Sequence, residues 1–152
     1  MDLESRNVII KLIGFVQEDV SIKVSYTPDI NTYNFETKYM CDDCKPYRVS
    51  QSIMIWLSNN GLIGEIESIF PPINIDEVCK FSNSVIKVTG FPIFEIVSCD
   101  SNTYLQRNET NFYLWFNNNK IIDKDIICQH CHFLFSKDEL VGIYCSEYKT
   151  IN

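Results

Sequence analysis

Strict alternation in residues 53–57 limits this chain more than any other feature. Ile53, Ile55 and Leu57 fall on one side and Met54 and Trp56 on the other, the period of two that an extended strand imposes and a helix scatters. Tyr47 opens the pattern, so the first strand is expected over 47–57. Asn59-Asn60-Gly61 follows, residues that tolerate the positive φ a tight β-turn needs. Residues 62–70 return as the partner strand, and Pro71-Pro72 ends it because proline has no amide proton for a ladder.

The same period recurs along the chain. Strands are expected at 8–15 and 20–26 around a turn at Gln17-Glu18-Asp19, and an extended pattern resumes at 32–37 after a Thr27-Pro28-Asp29-Ile30-Asn31 turn. Further strands are read at 85–88 and 91–99, split by Gly90, then at 112–116, 121–135 and 140–148, with turns at 117–120 and 136–139. Residues 100–108 read as a polar loop. Only 74–81 suggests a short helix, with acids early and Lys80 late to suit the helix dipole. Alanine, the best helix former, is absent from all 152 residues. The fold class is therefore mainly β: antiparallel meanders in a single domain spanning 1–152, with at most one or two short helices.

The halves resemble each other. Residues 56–64 align with 134–142, which places Gly64 against Gly142, and an aromatic strand precedes each: Tyr33 and Phe35 in one, Phe112, Tyr113 and Trp115 in the other. A pseudo-repeat over 20–70 and 108–148 would pack two copies of one meander together; two unrelated hairpins that converged would give the same pattern.

Charge and motif content exclude several functions. Twenty acidic against thirteen basic residues leave a net charge of −7, a field that repels phosphate backbones and speeds the approach of a basic partner. It also serves solubility alone. No Gly-rich phosphate loop, dinucleotide fingerprint or nucleophile elbow occurs, and five glycines leave little material for one. The start lacks a basic region leading into an apolar stretch, and no apolar run reaches membrane-spanning length. Seven scattered cysteines, an odd number, suit reduced thiols in the cytoplasm better than a disulfide framework.

Candidate sites follow from side-chain type. Glu65 and Glu67 share one strand face, Asp42, Asp43, Asp138 and Glu139 sit in turns, and Trp56 is an aromatic of the kind enriched in binding hot spots. Together these seven residues form the expected partner-binding set, against the plainer reading of a solvated face with a core tryptophan. Cys41-Asp42-Asp43-Cys44 and Cys128-Gln129-His130-Cys131 are each C-x-x-C pairs that could close a tetrahedral zinc site. They lie far apart, however, and the second falls in an expected strand, where i and i+3 face opposite ways. His130 and His132 would share a strand face, and Cys131 with His132 is the one candidate for thiol catalysis. No pairing stands out as catalytic, and neither a cofactor nor a bound metal is expected.

Residues 24–67, from Val24-Ser25-Tyr26-Thr27-Pro28-Asp29 to Leu62-Ile63-Gly64-Glu65-Ile66-Glu67, resemble a module of short uncharacterised bacterial proteins with a Tyr-Asp-Pro opening, an aromatic strand and a Gly-x-x-x-Gly-Ile-Glu close. Thr27 stands where that module has Asp, and the extra residue in the closing strand suggests a β-bulge. The whole chain is similar in style to the small acidic immunity proteins encoded beside bacterial polymorphic or contact-dependent toxins. That resemblance implies a cytoplasmic, non-catalytic protein whose partner is a cognate, basic toxin domain, with no role for nucleic acid or membrane. It carries no residue-level roles, since those proteins share no fold.

Overall fold

A computed structural model describes residues 9–73, 79–98, 103–117 and 120–152. The strands, in chain order, are β1 (Ile9–Val16), β2 (Lys23–Thr27), β3 (Thr32–Glu36), β4 (Lys45–Arg48), β5 (Ile53–Leu57), β6 (Ile63–Ile69) and β7 (Lys80–Thr89). They continue with β8 (Phe91–Ser98), β9 (Tyr104–Arg107), β10 (Phe112–Trp115), β11 (Ile121–Cys128), β12 (Cys131–Ser136), β13 (Glu139–Cys145) and β14 (Lys149–Thr150). The described residues hold no α-helix, only a 3-10 turn at Pro28–Ile30; no helix there is long and apolar enough to cross a membrane. The chain is mainly β, as its alternating pattern requires.

The strands form two mixed sheets. A six-stranded sheet runs β14-β2-β3-β6-β5-β4, and an eight-stranded sheet runs β7-β11-β12-β13-β1-β8, with β10 joining β13 and β9 joining β10. Within them, β2-β3-β6-β5-β4 and β9-β10-β13-β12-β11 trace the same path. Each also breaks register at the same point. Trp56 pairs with Glu65 but Leu57 with Ile63, and Leu134 pairs with Gly142 but Phe135 with Leu140. The extra residue is Gly64 in one sheet and Val141 in the other, so the alignment of Gly64 with Gly142 is one residue out. A slip of one exchanges the two faces of a strand, and the corrected match puts Ile63 and Ile66 level with Leu140 and Ile143, all buried.

Gly90 bends the eight-stranded sheet round on itself. It alone separates β7 from β8, which lie at opposite ends of the strand order. Its N–H donates to the Ile127 carbonyl on β11 at 3.0 Å, while a Cβ would stand 2.7 Å from the Val16 carbonyl on β1. First and last strands thus meet at one residue too small to hold them apart.

Both sheets contribute to one core. Phe91, Phe94, Phe133 and Phe135 pack ring to ring at centroid distances of 6.0–6.2 Å, and Tyr33 and Phe35 of β3 meet Phe112 of β10 at 4.8 and 5.8 Å. Arg107 donates to the buried Tyr33 hydroxyl at 2.9 Å. A second apolar cluster, Trp115, Ile122, Leu134 and Val141 with Tyr104, Tyr113 and Tyr144 against it, covers the other face of the eight-stranded sheet.

Several expectations need correction. The strands expected at 8–15 and 20–26 both form, as β1 and β2, but enter different sheets. The stretch 47–57 is a hairpin, β4 to β5, because Ser50 turns the chain: its hydroxyl meets Thr103 at 2.9 Å and it accepts the Ser52 N–H at 3.3 Å. The stretch 121–135 is likewise two strands, turned at Gln129, whose φ is 58°. The expected loop at 100–108 contains β9, where Leu105 is buried and Gln106 accepts from the Trp115 indole at 3.0 Å. Most of the helix expected at 74–81 lies outside the described residues; Lys80 and Phe81 open β7.

The β5–β6 turn docks on β8, where Phe94 donates to the Gly61 carbonyl at 2.8 Å. Gly61 has φ +82°, and a Cβ there would meet the Phe94 carbonyl at 2.4 Å. Gly61→Val is expected to lower stability by about 1–3 kcal/mol, read as a reduced urea midpoint with an unchanged slope.

Candidate functional site

The solvent face of the six-stranded sheet collects the polar half of each alternating strand. One row across it reads Lys23, Glu36, Glu65, Trp56, Pro46 and the next Ser25, Asn34, Glu67, Met54, Arg48, each residue opposite its neighbour. Trp56, Glu65 and Glu67 of the expected set are thereby brought together, with Glu36 added. Asn34 donates to Glu65 at 3.2 Å. Burial holds the Glu65 carboxyl above its ordinary value, and the Glu36 and Glu67 charges push it further; the bond from Asn34 only partly offsets this. The face thus carries closely spaced carboxylates whose repulsion is felt within the folded protein.

The other four expected residues do not join this row. Asp42 and Asp43 are exposed in the loop after β3, tied to β6 where Thr37 donates to the Ile63 and Gly64 carbonyls at 2.6 and 3.0 Å. Asp138 and Glu139 belong to the β12–β13 turn of the other sheet. Lys124 meets Asp138 at 3.1 Å, Leu12 donates to the Asp138 carbonyl at 2.7 Å, and Asn117 donates to Glu139 at 3.0 Å. These two hold strands together.

Sequence reasoning missed Asp125. It is a buried acid, 4% exposed, on the outer face of β11, 2.9 Å from His132 Nδ1 on β12. A carboxylate there fixes the ring and leaves Nε2 for a ligand. With Phe81, Tyr113, Leu134 and Tyr144 the pair lines a hollow of about 200 Å³, and Tyr113 stacks on Trp115 at 4.8 Å. Asp125 follows Asp123 and Lys124 in β11, so the sequence did not set it apart; its place diagonal to His132 is visible only once the hairpin is known.

The hairpin also reorders the cysteines and histidines. Cys128 and Cys131 are directly opposite each other across β11 and β12, not on opposite faces of one strand. His130 occupies the turn and His132 the outer face, so the two histidines do not share one. Cys131 is buried in the core and His132 lies on the far side of the same strand, so the candidate thiol–imidazole couple does not form. The Cys131 thiol is held well above its ordinary value by a hydrogen bond with the Cys145 thiol and by burial, the reverse of what a nucleophile needs. Cys41 and Cys44 face each other at 3.9 Å but do not join the other pair. Among the described residues the one group of three or more metal-ligating side chains is His130, Cys131 and Cys145.

Glu65 gives a pH test. Its raised value in the folded protein means that folding disfavours the ionised form: the penalty is full at neutral pH and vanishes once both states are protonated. Glu65→Gln is expected to raise the melting temperature at neutral pH, with the gain lost below the ordinary glutamate value of 4.5; a gain that persists in acid would place its origin elsewhere. Compared with protein-family models and with curated proteins, the chain finds no match.

Proposed function

We propose that this chain acts by binding a protein rather than by catalysis, and that its partner is a basic toxin domain it neutralises in the cytoplasm, as an immunity protein does. One observation carries the reading: Trp56 lies beside Glu65, with Glu36 and Glu67 adjacent, on the open face of a sheet. A half-buried aromatic framed by like charges is suited to a cationic surface. The indole supplies desolvated contact area, and the approach of Lys or Arg relieves the repulsion that lifts Glu65. The net charge of −7 adds long-range steering. Such a surface, laid over a toxin's active site, excludes substrate without any chemistry of its own.

Growth is the direct assay. The C-terminal domain encoded by the gene immediately upstream is expressed with and without this chain; it is expected to be toxic alone, and co-expression to restore growth. In binding to that domain, Trp56→Ala is expected to weaken affinity by about 2 kcal/mol or more. The Glu65→Lys, Glu67→Lys pair should slow association about tenfold or more at low salt and flatten its salt dependence. Toxicity that the chain fails to relieve, or relief indifferent to all three substitutions, would remove this reading.

A further inference from the structure

At the turn between β11 and β12, chain geometry gathers a donor set that protein binding through the six-stranded sheet leaves unused. Cys131 and Cys145 are direct cross-strand partners, both fully buried with side chains on the inner face. His130 immediately precedes Cys131, and its ring nitrogen and the two sulfurs all lie within 4.8 Å of one another. Glu147 follows Cys145 by two residues and places a carboxylate oxygen 4.0 Å from His130 Nδ1.

The arrangement is held in place from several sides. Ser146 donates its N–H to the His130 carbonyl at 2.9 Å, Gln129 donates to Asp19 at 2.7 Å, and the Cys128 thiol donates to the Val20 carbonyl at 3.2 Å. Such supports preorganise a ligand set before any ion arrives. His130 and Glu147 also line a cleft of about 700 Å³ with Glu36, Lys23, Tyr148 and Lys149, so the outer half of the donor set faces solvent.

We propose that His130, Cys131 and Cys145 form a zinc site, with the Glu147 carboxylate as fourth ligand. Two thiolates and an imidazole are the soft donors that favour zinc over calcium or magnesium. Zinc–sulfur bonds of about 2.3 Å and zinc–nitrogen bonds of about 2.0 Å put tetrahedral ligand atoms about 3.5–3.8 Å apart. The His130, Cys131 and Cys145 donor atoms lie within 4.8 Å of one another; rotation of the partly exposed His130 ring tightens that set, and the mostly exposed Glu147 side chain, 4.0 Å from His130 Nδ1, swings in as the fourth ligand. Two protons leave the thiols as the ion binds, and its charge balances the two thiolates. The bound ion ties the β11–β12 turn to the segment that carries the chain from β13 in one sheet to β14 in the other, so it clamps the sheets together.

The test uses the full chain, reduced and freed of metal. Cobalt titration is expected to give a thiolate-to-metal charge-transfer band and tetrahedral d–d bands that saturate near about one equivalent, and zinc should displace it. Zinc should also raise the melting temperature in proportion to the logarithm of its concentration. His130→Gln, a partly exposed turn position, should weaken zinc binding at least about tenfold while circular dichroism stays unchanged. Glu147→Gln should weaken it too, and Cys145→Ser should diminish the charge-transfer band. A Cys41→Ser, Cys44→Ser double variant should behave as wild type. The proposal falls if the wild type gives no cobalt–thiolate band. It falls equally if the band is indifferent to His130→Gln and disappears in the double variant. If Cys145→Ser does not fold, His130→Gln decides alone.

Discussion

A buried hydroxyl joins the two sheets. Tyr33 is fully buried on β3 of the six-stranded sheet, stacked on Tyr26 at 4.4 Å and tilted against Phe112 of the eight-stranded sheet at 4.8 Å. Burying a phenol without a partner for its hydroxyl costs about 1–3 kcal/mol, and the partner here is Arg107 at the end of β9. The same guanidinium lies 5.3 Å from the centre of the Tyr26 ring, where the π face attracts it. Ring contact and charged hydrogen bond together restrict how the sheets can sit against each other. Tyr148 packs edge-on against Tyr33 and Phe112, so that placement also sets the wall of the cleft beside His130.

Surface character divides along the same lines. Where β2-β3-β6-β5-β4 turns its outer face to water, the row is charged and carries Trp56; where β9-β10-β13-β12-β11 does so, the row is aromatic and carries His132 and Asp125. One strand path thus presents two chemistries, because the inner positions are constrained by the shared core and the outer ones are not. Val141, the extra residue of the second bulge, belongs to that aromatic cluster, whereas Gly64 in the first leaves room for the loop after β3.

What could be read from the sequence was what is local. The period-two pattern of 53–57 depends only on neighbouring residues, and β5 and β6 follow it. Gln129, by contrast, adopts a positive φ with neither Gly nor Asn to announce it, and so the turn that separates Cys128 from Cys131 was hidden in an apolar run. Everything downstream of that turn was misplaced with it: the faces of the two histidines, the Asp125 contact and the approach of Cys145. The row Glu36, Glu65, Trp56 needed strand order as well as alternation. Alternation put Glu65 and Glu67 on one face, but nothing short of the β3–β6–β5 pairing puts Glu36 beside them. Asp138 and Glu139 looked like free turn acids because their partners, Lys124, Leu12 and Asn117, lie on other strands.

Gly90 has a consequence for how the molecule opens. A flat sheet frays independently at its two margins, since the outermost strands share no backbone. Here the margins are two arms of one short segment, with β11 leaning on one arm and β1 on the other. Peeling β7 away drags on the hinge that seats β8, so loosening spreads round the ring instead of stopping at an edge. The six strands from β7 round to β8 therefore have the mechanics of a hoop, with β10 and β9 as a branch outside it, and those six are expected to exchange their amide protons as a cooperative unit.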